Sequence, residues 1–155
     1  MSRAFVREAE GGEAFEDLPN RTISPHHLVT PEGLAQMDAE IQALQPRLAA
    51  AQAADDKAEV ARLSRDLRYW SARRASAEVV AAPADTSHVR FGARVTFERE
   101  DGRRQTYRIV GEDEADPAKG SISYVSPLAQ ALMGKEIGDV VPVGQTTAEI
   151  VEIGV

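Results

Sequence analysis

The sequence predicts an α+β protein: an antiparallel helical hairpin of coiled-coil type, followed by an antiparallel sheet packed by one short helix. Three observations lead there. Leu34, Met37, Ile41, Leu44, Leu48 and Ala51 recur at spacings of three and four, as do Val60, Leu63, Leu67 and Trp70, with Ala77 continuing the second series. That period belongs to helices with a single apolar seam. From Val89 and Phe91 to Val95 and Phe97 the period becomes two, as strands require. Between the two patterns, residues 81–88 begin as a run of small residues (Ala-Ala-Pro-Ala-Asp-Thr-Ser) and are expected to form a linker.

Residues 1–27 carry Gly11, Gly12, Pro19 and Pro25 among five acidic and three basic side chains, with no apolar period. A flexible amino-terminal arm is the expectation. Residues 28–80 are assigned to the hairpin. Thr30 is placed to cap its first helix and Pro31 to open it; Pro46 lies inside and is expected to bend the helix or loosen a turn. The polar midpoint Ala54-Asp55-Asp56-Lys57 separates two arms of ~35 Å each at helical rise.

Residues 89–155 are assigned to the sheet domain. Asp101-Gly102 marks a hairpin turn, with Tyr107, Ile109 and Val110 on the return strand. Ile122, Tyr124 and Val125 suit another strand. Ser126 stands as an N-cap, Pro127 at the first helical position and Gly134 just past the last turn. Ile137-Gly138-Asp139 forms a turn, and Val140, Val141, Val143, then Ala148, Ile150, Val151 and Ile153, complete about four or five strands.

Composition excludes several classes. With no cysteine, no disulfide frame or thiolate metal site is possible. A net charge of −7 argues against a general nucleic-acid binder. No apolar run approaches the ~20 residues of a membrane span. A soluble cytoplasmic protein, monomeric and without a membrane partner, is expected.

Chemistry concentrates at the hairpin tip. Asp55, Asp56 and Glu59 are hard oxygen donors that could share a Mg²⁺ ion, provided a partner supplies further ligands. The alternative is that they answer the free N–H groups and dipole of a helix start. Arg62, Arg65, Arg68, Arg73 and Arg74 face only Asp66 along the second helix. They form either a polyanion-attracting stripe or a solvated face paired with Asp38 and Glu40. Tyr69-Trp70 reads as a seam residue with its neighbour, or less simply as a stacking platform. His26, His27 and His88 follow no metal spacing and receive no role. Glu112, Asp113, Glu114 and Asp116 do not follow a Ca²⁺-loop pattern and read as a solvated loop.

Two motifs go further. Ser123-x-x-Ser126-Pro127-Leu128-Ala129, then Ala131-Leu132-Met133 and Gly138-Asp139, with Tyr107-Arg108-Ile109-Val110-Gly111-Glu112-Asp113-Glu114-Ala115-Asp116 upstream, resemble the carboxy-terminal signature of the Gre-type bacterial transcription elongation factors. The resemblance spans roughly residues 28 to 153. It implies an FKBP-like fold for the sheet domain and docking on RNA polymerase at its secondary channel. Asp113, Glu114, Asp116, Ser126 and Pro127 would then be polymerase contacts. Asp56 and Glu59 would match the catalytic Asp-x-x-Glu pair, which completes a Mg²⁺ site shared with the polymerase and promotes cleavage of backtracked RNA. Arg62, Arg65, Arg68 and Arg73 would touch RNA or line the channel. RNA and DNA would be met only within the polymerase complex. The factor itself would be an accessory protein, not an enzyme, and would hold no cofactor when free.

The chain departs from that pattern at three places. The tip lacks the family's Ser, Asn and following aromatic. The arms are shorter by roughly 8 to 11 residues, ~12 to 16 Å at helical rise, and the amino-terminal arm is longer. A channel-occupying regulator without cleavage stimulation is therefore the first alternative. A peptidyl-prolyl isomerase or chaperone, suggested by fold alone and relying on Phe91, Phe97, Tyr107 and Tyr124, is the second.

Overall fold

A computed structural model describes residues 27–155; the arm expected over residues 1–27 lies outside them except for His27. The elements run β1 (His27–Val29), α1 (Pro31–Ala53), α2 (Lys57–Ala75), β2 (Ala77–Val79), β3 (Arg94–Arg99), β4 (Arg104–Val110), a 3-10 turn (Pro117–Lys119), β5 (Ser121–Ser123), α3 (Pro127–Leu132), β6 (Val140–Val143) and β7 (Thr146–Gly154). This is the α+β class expected. The chain divides into two compact units. Among the described residues one comprises His27 and residues 37–77, and the other residues 28–36 and 78–155.

In the first unit, α1 and α2 share a buried seam of Leu44, Ala51 and Leu63, flanked by Leu48, Val60, Leu67 and Trp70. The seam residues are those the helical period selects. An Arg74 Nε–Asp38 Oδ1 pair at 2.8 Å joins the end of α2 to the start of α1, so the helices run antiparallel. Pro46 sits within an uninterrupted α1. It faces solvent.

The second seam stops short of Ala77. Ser76 closes α2, its N–H bonding the carbonyls of Ala72 and Arg74, and the chain turns into β2, which pairs with β1. The reason is local: Val79-Val80 are β-branched and prefer extended backbone, and Val80 N–H finds the Val29 carbonyl at 2.9 Å. That small two-stranded sheet is not visible in the apolar period. With 19 residues, α2 is ~28 Å long at 1.5 Å per residue, against the ~35 Å expected.

The second unit holds a five-stranded sheet in the order β5-β4-β3-β7-β6. Three pairings are antiparallel; β4–β5 is parallel, which corrects the all-antiparallel expectation. A parallel neighbour needs a crossover rather than a hairpin, and residues 111–120, including the 3-10 turn, supply it. Tyr124 and Val125, assigned to a strand, fall just after β5. Ile150 and Ile153 both face the core despite their odd spacing. The β3–β7 register shifts between Thr96 and Phe97, so that Val95 lies opposite Ile153 and Phe97 opposite Ile150; such a bulge resets which side chains point inward. Pro142 is tolerated because β6 is an edge strand. The core packs Phe97, Ile109, Ile122, Leu132, Val141 and Ile150, among others, under α3. Among the described residues no helix is long and apolar enough to cross a membrane.

Candidate functional site

The hairpin tip is built by one residue in a rare conformation. Asp55 has φ 55°, the left-handed region that Asp tolerates better than most side chains. That reversal ends α1, with Asp55 and Asp56 N–H groups bonding the carbonyls of Gln52 and Ala51. Asp56 is then the N-cap of α2: its Oδ1 accepts from the Glu59 N–H at 3.2 Å. Asp55 Oδ1 pairs with Lys57 Nζ at 3.0 Å. Glu59 is held by Arg62, with Nε to Oε1 at 3.1 Å and Nη2 to Oε2 at 2.6 Å. This bidentate pair, the hydrogen bond first and the charge second, raises the Arg62 pKa above its ordinary value.

The three candidate metal ligands are thus neighbours with separate occupations. Among the described residues no group of three or more His, Asp or Glu side chains is gathered to hold a metal ion. A donor set in which one carboxylate caps a helix and another grips a guanidinium on both oxygens does not fit a resident Mg²⁺.

The arginines divide likewise. Arg62 is occupied by Glu59 and also reaches Asp66 at 3.6 Å, and Arg74 is paired to Asp38. Arg73 is fully buried, which removes it from the exposed stripe to which the sequence assigned it. Arg65 and Arg68 are exposed. Tyr69 and Trp70 meet edge to face at 5.2 Å, and Trp70 packs on the seam.

In the second unit the acidic loop after β4 is organised inward. The Glu114 carboxylate accepts from the Thr30 N–H at 2.9 Å, from the Thr30 hydroxyl, and from the Gly111 N–H at 3.1 Å. Thr30 in turn caps α1, its Oγ1 accepting from Gly33 N–H at 3.0 Å. Both glycines are required for this clasp. A Cβ on Gly33 would lie 2.2 Å from the Glu114 carboxyl carbon, and one on Gly111 would lie 2.7 Å from the Leu28 carbonyl oxygen. Arg108 adds an ion pair to Glu32 at 3.2 Å.

The other candidate contacts fall on the same unit. Asp113 and Asp116 are half-buried, and the Asp116 backbone bridges to Ser121. Ser126 caps α3, its Oγ accepting from Ala129 N–H at 3.2 Å, while Pro127 is exposed beside Val125. Of the aromatics weighed for an isomerase pocket, Phe91 and Phe97 are core. Tyr124 packs on Phe91 and accepts from Leu28 N–H at 3.1 Å. His27, given no role, is buried, with Nδ1 3.0 Å from Ser76 Oγ.

Comparison with known proteins decides the family. The chain is 39% identical over 149 residues to transcription elongation factor GreB of Pseudomonas aeruginosa, covering 81% of this chain and 89% of that protein. The chain belongs to the GreA/GreB family of transcription elongation factors. A family model described as "Transcription elongation factor, GreA/GreB, C-term" matches residues 84–154. GreB of Xanthomonas axonopodis pv. citri is 39% identical over 150 residues (81% of this chain, 89% of that protein). GreA of Ruegeria pomeroyi is 35% identical over 148 residues (81% and 95%).

The matched span, residues 84–154, contains α3, whose cap, first-position proline and following left-handed glycine were each readable. The Glu114 clasp was missed because its partners are Thr30 and Gly111, one of them 84 residues away in sequence. A glycine three positions before an acid, in Gly111-Glu112-Asp113-Glu114, was the only local signal.

Proposed function

We propose that this chain docks on RNA polymerase at the rim of its secondary channel through the unit that carries the family signature, and modulates elongation by occupying the channel with its hairpin. Family membership supports the partner. Pro127 and Val125 lie exposed beside the capped helix α3 and are available for the contact; Asp113 and Asp116, half-buried on the loop, are the other candidates. Glu114 supports that loop from within, because its carboxylate already serves three donors.

The observation that favours occupancy over metal delivery is the state of the tip. Asp56 caps α2, and Glu59 is held on both oxygens by Arg62. Steric occupation tolerates a short arm, whereas metal-assisted cleavage depends on placement to within about 1 Å. The cleavage-stimulating reading requires Glu59 to leave Arg62 inside the polymerase and the partner to complete the ligand set.

The test is RNA release from backtracked polymerase complexes at saturating protein, alongside GreB of Pseudomonas aeruginosa, with co-sedimentation on the polymerase as the binding readout. Binding with little cleavage, together with competition against the second factor, is the expected result. Cleavage at a comparable rate that is lost in Glu59→Gln would replace occupancy with metal sharing. Failure to co-sediment would remove the polymerase-docking proposal altogether.

A further inference from the structure

The parallel pairing of β4 with β5 puts the two candidate docking segments at one end of the sheet. Val110 lies opposite Ser123, so residues 111–116 and 124–127 leave neighbouring strands side by side. An antiparallel pair would send them to opposite ends. Backbone bonds keep them together. Tyr124 N–H bonds the Val110 carbonyl at 2.9 Å, and Asp116 exchanges two hydrogen bonds with Ser121, at 3.0 and 3.1 Å.

Three consecutive residues, Leu28 to Thr30, fasten both segments, and they belong to the same compact unit as the sheet. Leu28 N–H donates to the Tyr124 hydroxyl at 3.1 Å. The Leu28 carbonyl oxygen and Val29 Cα press on Gly111, where a Cβ would lie 2.7 and 3.4 Å from them. Thr30 donates to Glu114 from both its N–H and its hydroxyl. The Tyr124 ring is itself braced, edge to face on buried Phe91 at 5.4 Å. Val29 and Thr30 are buried, so their part is to hold the segments and not to touch a partner. A surface ordered in advance binds more tightly, because less conformational freedom is lost on contact.

We propose that Tyr124 and Glu114 are positioning residues for docking. Through the shared strut Leu28–Thr30 they hold residues 111–116 and 124–127 as one partner-facing surface, with half-buried Asp113 and Asp116 beside exposed Val125 and Pro127. The identity of the partner rests on the polymerase-docking reading; the strut does not.

The test separates a shared strut from two local anchors. In Tyr124→Phe the ring stays and Leu28 N–H loses its acceptor. Amide exchange at Glu114, whose N–H bonds the Gly111 carbonyl at 3.1 Å, should then quicken roughly tenfold, although it lies on the other segment. In Glu114→Ala the reciprocal reporter is Ser126, whose N–H bonds the Ser123 carbonyl at 3.0 Å, with a similar rise. Strands β3 and β7 should keep their protection in both variants. Co-sedimentation with RNA polymerase should weaken about threefold in Tyr124→Phe and about tenfold in Glu114→Ala. Glu114→Gln keeps a carbonyl acceptor for the Thr30 and Gly111 N–H groups and should stay within about twofold of wild type. Exchange changes confined to the mutated segment, or spread evenly over β3 and β7, would overturn the strut. Unchanged affinity in Tyr124→Phe and Glu114→Ala, or equal loss in Glu114→Gln and Glu114→Ala, would overturn the positioning role. Wild type that fails to co-sediment would remove the docking reading, and the exchange results would still decide the strut.

Discussion

The two units bury their apolar surface in different ways. The hairpin closes over a contiguous cluster of Leu44, Ala51 and Leu63, one narrow seam between two helices. The sheet unit closes over residues drawn from β3, β4, β5, α3, β6 and β7 together. In the first, each buried side chain is a large share of what holds the unit together. In the second, no single side chain is, and the polar groups that enter the unit must be satisfied by specific partners, as Glu114 is. A seam tolerates changes in solvent-facing sequence and fails at few positions. A sheet core spreads its dependence across the chain.

The sharpest way to break that contrast is a pair of core truncations. Leu63→Ala removes a fully buried side chain and should cost about 2–5 kcal/mol; Phe97→Ala, equally buried, should cost about 3–5 kcal/mol. The costs are similar and the consequences should differ. Hydrogen exchange in Leu63→Ala should accelerate along α1 and α2 and leave β3 and β7 protected, whereas in Phe97→Ala all five strands should lose protection together. Uniform loss in Leu63→Ala would show that the units unfold as one.

Next in size is the Glu114 clasp. Glu114→Ala leaves the Thr30 and Gly111 N–H groups without their acceptor, at about 1–3 kcal/mol for partly buried donors. Chemical denaturation measures it. A loss within error would return Glu114 to the set of surface contacts. Asp56→Ala should cost about 1 kcal/mol of hairpin stability through loss of the N-cap, while Asp56→Asn, a comparable cap, should cost little. An Asn variant that is stable but defective with polymerase would assign a role to the Asp56 charge itself.

The same contrast explains what could be read in advance. Seams, caps and turns are local: Leu44 and Leu63 declare themselves by period, Ser126 and Pro127 by order, and Asp101-Gly102 by composition. Non-local partnerships leave no such mark. The parallel β4–β5 pairing is fixed by a crossover, and the inward turn of Ile153 by a register shift against β3. Nothing in the local pattern sets Arg73, which is buried, apart from the four similar arginines around it. The tip acids were legible as residues but not as occupations. Whether Glu59 meets a metal or Arg62 depends on the arginine's rotamer, which spacing does not encode.

The smallest effect is a pH dependence at the start of α1. The Glu32 carboxyl is held below its ordinary value of 4.5, first by a hydrogen bond to its own backbone N–H, then by the hydrogen bond and charge of Arg108. A carboxylate depressed in the folded state contributes stability that is fully present above its unfolded pKa and is lost as pH falls through the folded one. Glu32 is exposed, so the contribution is modest and screened. Denaturation midpoints of wild type and Glu32→Gln should therefore differ slightly at pH 6 and converge as pH falls through the depressed folded-state pKa, below which both side chains are neutral. Subtracting the variant cancels Asp85 and Asp101, whose carboxyls are also held low by neighbouring Ser87 and Arg103. Because the backbone hydrogen bond ranks ahead of Arg108, Arg108→Gln should retain part of the pH-dependent difference. Its complete loss in that variant would make the ion pair, and not the helix start, the source.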